Sequence, residues 1–233
     1  MELPSWMRPM TQRLSPLVQG LVIVETLAYL VYVLAPPLRD FIVSHLALSS
    51  GVALGKLWQP LTALFVHIDL LQFLFNLLGI WFVGAAMELA LGKQRFLLVF
   101  FVPAIAGYLA QGLSAAILGH PYASAGPGPA VLSIFVAFGV HYDKTPARVL
   151  GGLVLPARAL AAIIVGFSLF ISLVLAAWPA VVGTLVAGVL SYVLCGGRGV
   201  PAEKPRPKRP SRPRVQMQVL EGGKGKTDPR YLN

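Results

Sequence analysis

Cysteine is almost absent from this chain of 233 residues: Cys195 stands alone. A single thiol excludes an intrachain disulfide and any cluster of cysteine ligands, so the fold has to rest on packing. Cys195 itself reads as a small apolar residue at the end of a hydrophobic run. Charge is scarce too, at 12% of residues, against 56% hydrophobic and a mean hydropathy of +0.73. A soluble core of this size cannot cover so much apolar surface, which excludes an ordinary water-soluble domain and leaves an all-α polytopic membrane protein. Acidic residues are the rarest charges, nine against nineteen Lys and Arg. From Gly196 to Asn233, ten basic residues face only Glu203, Glu221 and Asp228, so this stretch carries +7 of the total +10.

A spanning helix requires roughly 20 mainly apolar residues, because the hydrocarbon core is about 30 Å thick and each residue rises about 1.5 Å. On that ruler, spans are predicted at 17–35, 62–86, 95–118, 127–142, 157–177 and 179–196. The first run follows Arg8 and Arg13 as a signal peptide would. It is too long for an h-region, however, carries Glu25, and ends in Pro36-Pro37 without a small-residue cleavage site, so it reads as a retained span. The fourth is short and begins at Gly126-Pro127-Gly128-Pro129, a break whose free backbone N–H groups belong inside the bundle rather than against lipid. Between the first two spans, Pro36 to Gln59 is too long for a tight turn and holds Phe41, Leu46, Leu48 and Trp58, the composition of a structured loop that dips into the interface.

Residues 1–16 then form an N-terminal segment, 17–196 a six-span membrane domain, and 197–233 a tail. With six spans and a cytoplasmic N-terminus, Arg8, Arg13, Lys93, Arg95, Lys144, Arg148, Arg158 and the tail fall inside, against Arg39 and Lys56 outside. Basic residues favour the cytoplasmic side, so both termini are expected there. The tail is rich in Pro, Lys, Arg and Gly without hydrophobic period, the composition of a disordered basic segment. It reads either as a solvated topology anchor or as an adhesive for anionic lipid headgroups. Little aromatic interleaving is present to stack bases, and no nucleic-acid partner is expected.

Polar side chains within spans are costly, about 2.5–3.5 kcal/mol for a central charge on insertion scales, so each calls for a reason. Glu25 reads as a neutral carboxyl bonded to a neighbouring helix, or as a contact for a partner helix. In the second span Gln72 and Asn76 are four apart and offer their amides on one helical face, with Gly79 continuing that face as a site of close helix approach. His67 and Asp69 are expected at the outer end, within reach of water. Glu88 lies at the inner end between Gly84 and Gly92, placed to cap or pair locally. Structural roles alone account for all of these.

Taken together, the motifs resemble the rhomboid family of intramembrane proteins. Trp58 and Thr62 match its Trp-x-x-x-Thr, and His67, Gln72 and Asn76 lie at the positions of its His-x4-His-x3-Asn. Gly84, Glu88 and Gly92 give its Gly-x3-Glu-x3-Gly. The run "GPGPAVLSIFVAFG" from Gly126 is similar to the family's G-x-S-G start of helix four, and "PAVVGTLVAGVL" is similar to the last helix, which carries the family's histidine and a glycine matching Gly188. The resemblance covers most of residues 45–195 and implies a six-transmembrane-helix rhomboid-like bundle.

The same resemblance implies a loss. Where active members hold the serine nucleophile this chain has Gly128, where they hold the histidine base it has Val181, and the second-span histidine that helps stabilise the oxyanion is Gln72, with its partner retained as Asn76. A hydroxyl attacks a peptide carbonyl usefully only when an adjacent base removes its proton. Glycine has no side chain and valine no lone pair. Ser124 and Ser133 lie near the turn, but residues 178–196 hold no histidine to pair with either. His45, His67, His120 and Asp69 have no metal-ligand spacing, and neither metal nor cofactor is expected. The resemblance thus implies a non-enzymatic pseudoprotease that binds transmembrane segments of client proteins at a cavity around His67, Gln72, Asn76, Gly126, Pro127 and Gly128. Family members without the dyad exist, some with proline beside the lost serine, as Pro127 is here. The alternative is an intramembrane serine protease with non-standard residues; a solute carrier is disfavoured because paired broken helices and rows of central charges are missing. A bacterial inner membrane is the expected location.

Overall fold

The computed structural model describes residues 15–119, 122–148 and 154–196. These belong to a compact unit bounded at Met1–Glu203; a second unit, Lys204–Asn233, and with it the basic tail, lies outside the described residues, as does His120.

Helix α1 spans Pro16–Leu34. A linker follows through α2 (Arg39–Phe41), a π-helical turn at Ile42–Leu46, strand β1 (Leu48–Ser49) and the short α3 (Gln59–Thr62). The second span is α4 (Leu70–Gly79), continued through a π turn at Ile80–Gly84 into α5 (Ala85–Leu91). Helix α6 (Lys93–Leu118) is the longest, and β2 (Ala123–Ser124) leads into α7 (Gly128–Tyr142). A hairpin of β3 (Pro146–Arg148) and β4 (Val154–Pro156) precedes α8 (Ala157–Val174) and α9 (Trp178–Gly196). Five of these runs are long and apolar enough to cross a bilayer, and α7 is the shorter sixth. The chain is therefore an all-α, multi-pass integral membrane protein built as a six-helix bundle.

The second span differs from the sequence expectation, which began it at residue 62 and ended it at 86. It runs from Leu70 to Leu91. Residues 66–69 are extended, and the Asp69 carboxylate accepts the Gln72 N–H at 2.7 Å, satisfying one of the unpaired donors that begin any helix. Hydropathy alone runs through this boundary because Ala63, Leu64, Phe65 and Val66 are as apolar as the helix that follows.

Helix α6 sits at the centre. Half of its most apolar window is buried, against 17% for α1 and for α8, which lie at the periphery. Phe96, Phe100 and Tyr108 of α6 pack with Ile80, Met87, Ile134 and Phe138 into one core. Against α9 the packing is by small residues: a side chain at Gly107 would meet the Gly183 carbonyl at 2.9 Å and Ala187 Cβ at 3.0 Å. In lipid, where apolar burial gives helices little reason to associate, such backbone approach supplies the contact.

The loop between the first two spans is structured, as its aromatic residues suggested. Buried Gln59 holds it: Oε1 accepts from the Ser49 N–H at 3.1 Å and from its hydroxyl at 2.8 Å. Trp58 donates its indole N–H to the His45 carbonyl at 2.9 Å, and Thr62 its hydroxyl to the Leu46 carbonyl at 2.8 Å. Strand β1 pairs antiparallel with β2, Leu48 opposite Ser124, tying this loop to the segment that leads into α7.

Candidate functional site

The break before α7 is inside the bundle. Ala125, Gly126 and Pro127 are buried, and the Gly126 N–H donates to the Ala63 carbonyl at 2.8 Å. Its own carbonyl accepts the buried Tyr108 hydroxyl at 2.5 Å. Gly126 has φ +100°, a conformation strained for any side chain, and a Cβ there would lie 3.1 Å from Gln72 Nε2 and 3.4 Å from Asn76 Nδ2. Both amides of α4 therefore converge on this glycine, as their four-residue spacing predicts. Gln72 Nε2 donates to the Ala125 carbonyl at 2.9 Å, whereas Asn76 Nδ2 is buried with no hydrogen-bond partner among the described residues. An unpaired buried donor costs about 1–3 kcal/mol, so Asn76 is a group held ready for an acceptor. Gly79, on the same face, faces α7: a Cβ there would stand 2.7 Å from Val131 Cγ1.

Gly128 is the first residue of α7, beyond the Pro127 cap, and the space where its side chain would stand is open. Val181 is half-buried near the start of α9. The close contact of α9 falls not at Gly188, whose absent Cβ would make an ordinary 3.8 Å contact with Leu132, but at Gly183, where Gln111 of α6 fills the room the glycine leaves.

Two serines flank the turn. Ser133 donates to the Pro129 carbonyl at 2.8 Å, and Ser124 hydrogen-bonds the Tyr122 phenol. Tyr122 also donates to Gln111 Oε1 at 3.0 Å. Burial raises the Tyr122 hydroxyl above its ordinary value, against a smaller opposing effect of the Ser124 hydrogen bond. The phenol is thus no base for Ser124 at neutral pH.

His67, expected within reach of water and in the same cavity, is instead 2% exposed and turned toward α1. Its Nε2 is 3.5 Å from Glu25 Oε2, and its ring lies against those of Tyr29 and Phe73. The reason is tertiary: Tyr29 stacks on Phe73 at 4.4 Å between centroids, and Glu25, fully buried, projects from α1 into the space beneath. Asp69 remains exposed.

Of the Gly84, Glu88, Gly92 series, the first two seat α1. A Cβ at Gly84 would meet Val18 at 3.3 Å, so the glycine lets α1 approach. Glu88 then accepts from the Ser15 hydroxyl and, at 3.1 Å, from the Val18 N–H, placing a carboxylate at the positive end of α1. Gly92, with φ +76°, turns the chain into α6. Tyr108, Gln111, Tyr122 and Gln59 escaped the sequence reading; Gln111 and Gln59 carried the same signal as Gln72, an amide in an apolar stretch.

A family model described as the Rhomboid domain matches residues 54–198, more than half of the chain. The chain belongs to the rhomboid family. It is 36% identical over 83 residues to the rhomboid protease GluP of Bacillus subtilis (strain 168), a stretch covering 36% of this chain and 15% of that protein. It is 37% identical over 60 residues to the rhomboid protease GlpG of Salmonella choleraesuis (strain SC-B67), covering 25% of this chain and 22% of that one, and 35% identical over 60 residues to GlpG of Salmonella newport (strain SL254), with the same coverage. The matched stretches thus span less than a quarter of these relatives. Within a rhomboid bundle, the turn at Gly126 and the amides of Gln72 and Asn76 form the polar centre described above.

Proposed function

We propose that this rhomboid is a pseudoprotease: it does not cleave peptide bonds but receives transmembrane segments of client proteins at the cavity around Gln72, Asn76, Gly126, Pro127 and Gly128, and so affects their folding, assembly or degradation. The observation that carries this reading is Gly128. At the head of α7, where the family resemblance places a nucleophile, there is open space and no hydroxyl, and Val181 offers no base. Ser133 is committed to a backbone carbonyl and Ser124 to a phenol, which supports the same conclusion. Donors at Asn76 and Gln72 would stabilise an oxyanion that nothing nearby creates. They suit instead the carbonyl of an unwound or polar stretch in a client helix. We place both termini in the cytoplasm of a bacterial inner membrane, with the basic tail on anionic headgroups.

The second reading, an intramembrane serine protease with non-standard residues, is favoured by the relatives, GluP and GlpG, which are named as rhomboid proteases. A fluorophosphonate probe, which labels activated serines, separates the two. The purified protein should stay unlabelled in detergent and in bilayers, and Gly128→Ser with Val181→His should restore labelling weakly at most, since Pro127 and Pro129 restrict the turn. Labelling of the native chain that vanishes on Ser124→Ala would establish the protease.

A further inference from the structure

Away from the Gly126 turn, at the opposite end of α7, a groove of 460 Å³ opens between α7, α8 and α9. That volume lies in the range of about 300–1,000 Å³ typical of small-molecule sites. Its floor is the crossing of Gly139 and Ala161, so close that a Cβ on the glycine would stand 2.6 Å from that of the alanine. Its walls are apolar, with Val136, Val140, Ala162 and Val165. At the mouth, where α7 ends and α8 begins, stand Asp143 and Arg158, and Tyr192 of α9 flanks them. The groove is thus apolar along its length and charged at one end, the layering of a lipid rather than of a peptide or a water-soluble ligand.

The charges at the mouth narrow the choice of lipid. Arg158 Nη1 and Asp143 Oδ1 are 3.5 Å apart, a long contact between side chains that are 60% and 52% exposed, so neither charge is used up by the other. A lipid with phosphate alone would set an anion beside the Asp143 carboxylate. A headgroup with a phosphate and a primary ammonium a few bonds apart meets both: the guanidinium donates to phosphate oxygens and the carboxylate accepts from the ammonium. Asp143 is presented there by a backbone with φ +26°, held by hydrogen bonds from the Arg158 N–H to its carbonyl at 3.1 Å and from the Thr145 N–H to the Tyr142 carbonyl at 2.6 Å.

We infer that this groove is a binding site for one phosphatidylethanolamine molecule, an acyl chain lying along Val136, Val140 and Val165, the phosphate on Arg158 and the ammonium on Asp143. Phosphatidylcholine carries the same charges but no N–H donor for the carboxylate, and phosphatidylglycerol carries no ammonium. The two comparisons isolate the Asp143 contact.

Native mass spectrometry of the full chain, delipidated in detergent and titrated with each lipid at matched acyl chains, tests the inference. Phosphatidylethanolamine should be retained roughly fivefold better than either of the others at one saturable site. Asp143→Asn, which tolerates positive φ as aspartate does, should erase that preference while leaving binding of phosphatidylglycerol intact or improved. Ala162→Phe, at an exposed position where the larger ring fills the groove without entering the core, should reduce retention of all three lipids with an unchanged melting temperature. Equal retention of the three lipids, tighter phosphatidylglycerol binding by the native chain, or a preference that survives Asp143→Asn would each overturn the assignment.

Discussion

At the scale of single residues, the packing of α6 on α9 is decided by a missing Cβ. At Gly183 it would stand 2.2 Å from Gln111 Cγ and 2.7 Å from the Gly107 carbonyl; Gln111 can shift but the backbone carbonyl cannot. Gly183→Ala should therefore lower stability by about 1–3 kcal/mol, the range for overpacking a fitted interior. Gly188→Ala, in the same helix and the same motif, meets only Leu132 at ordinary distance and should stay within about 0.5 kcal/mol of the native protein. Reversible unfolding in detergent measures both. Equal losses at the two positions would mean that helix propensity or lipid contact, rather than backbone approach, sets the cost. Neither the ranking nor the partner was legible in the sequence, where both glycines sit in one motif and Gln111 is 72 residues away.

Among elements, α1 and α8 are the least buried spans, and α1 meets two polar groups distant in sequence: Glu88 accepts at its N-terminus, and His67 lies beside Glu25 in its middle without a hydrogen bond between them. The first was half legible, because a carboxylate between two glycines at a span end asks for a local partner. The second was not, because nothing in a sequence reports that a histidine in an extended connector will be covered by Tyr29, Phe73 and a glutamate 42 residues earlier. The start of the second span was lost for a related reason: an apolar loop and an apolar helix have the same hydropathy, and only the Asp69 cap separates them.

On the scale of the whole molecule, the number and order of helices were legible because the bilayer imposes one length on every span. Five of the six expected runs recur within a few residues, and the short α7 begins at the glycine-proline break that announced it. What composition also offers is direction. An even number of spans puts both ends of the membrane domain on one side, and the Gly126 turn and the Asp143–Arg158 mouth occupy opposite ends of α7. Lys93, Arg95, Lys144 and Arg158 lie at the mouth's side of the bundle by the order of the spans, whereas Arg39 and Lys56 belong to the loop that β1 joins to the Gly126 turn. Since Lys and Arg in short loops resist translocation, the mouth should face the cytoplasm and the turn the opposite side. Topology reporters fused after Ser124 and after Asn233 should therefore report opposite sides, with Asn233 cytoplasmic. The same side for both would break the six-span count between them. An exchanged pair would leave the bundle intact but turn the Gly126 cavity toward the cytoplasm, so that any client segment would have to be met from that side.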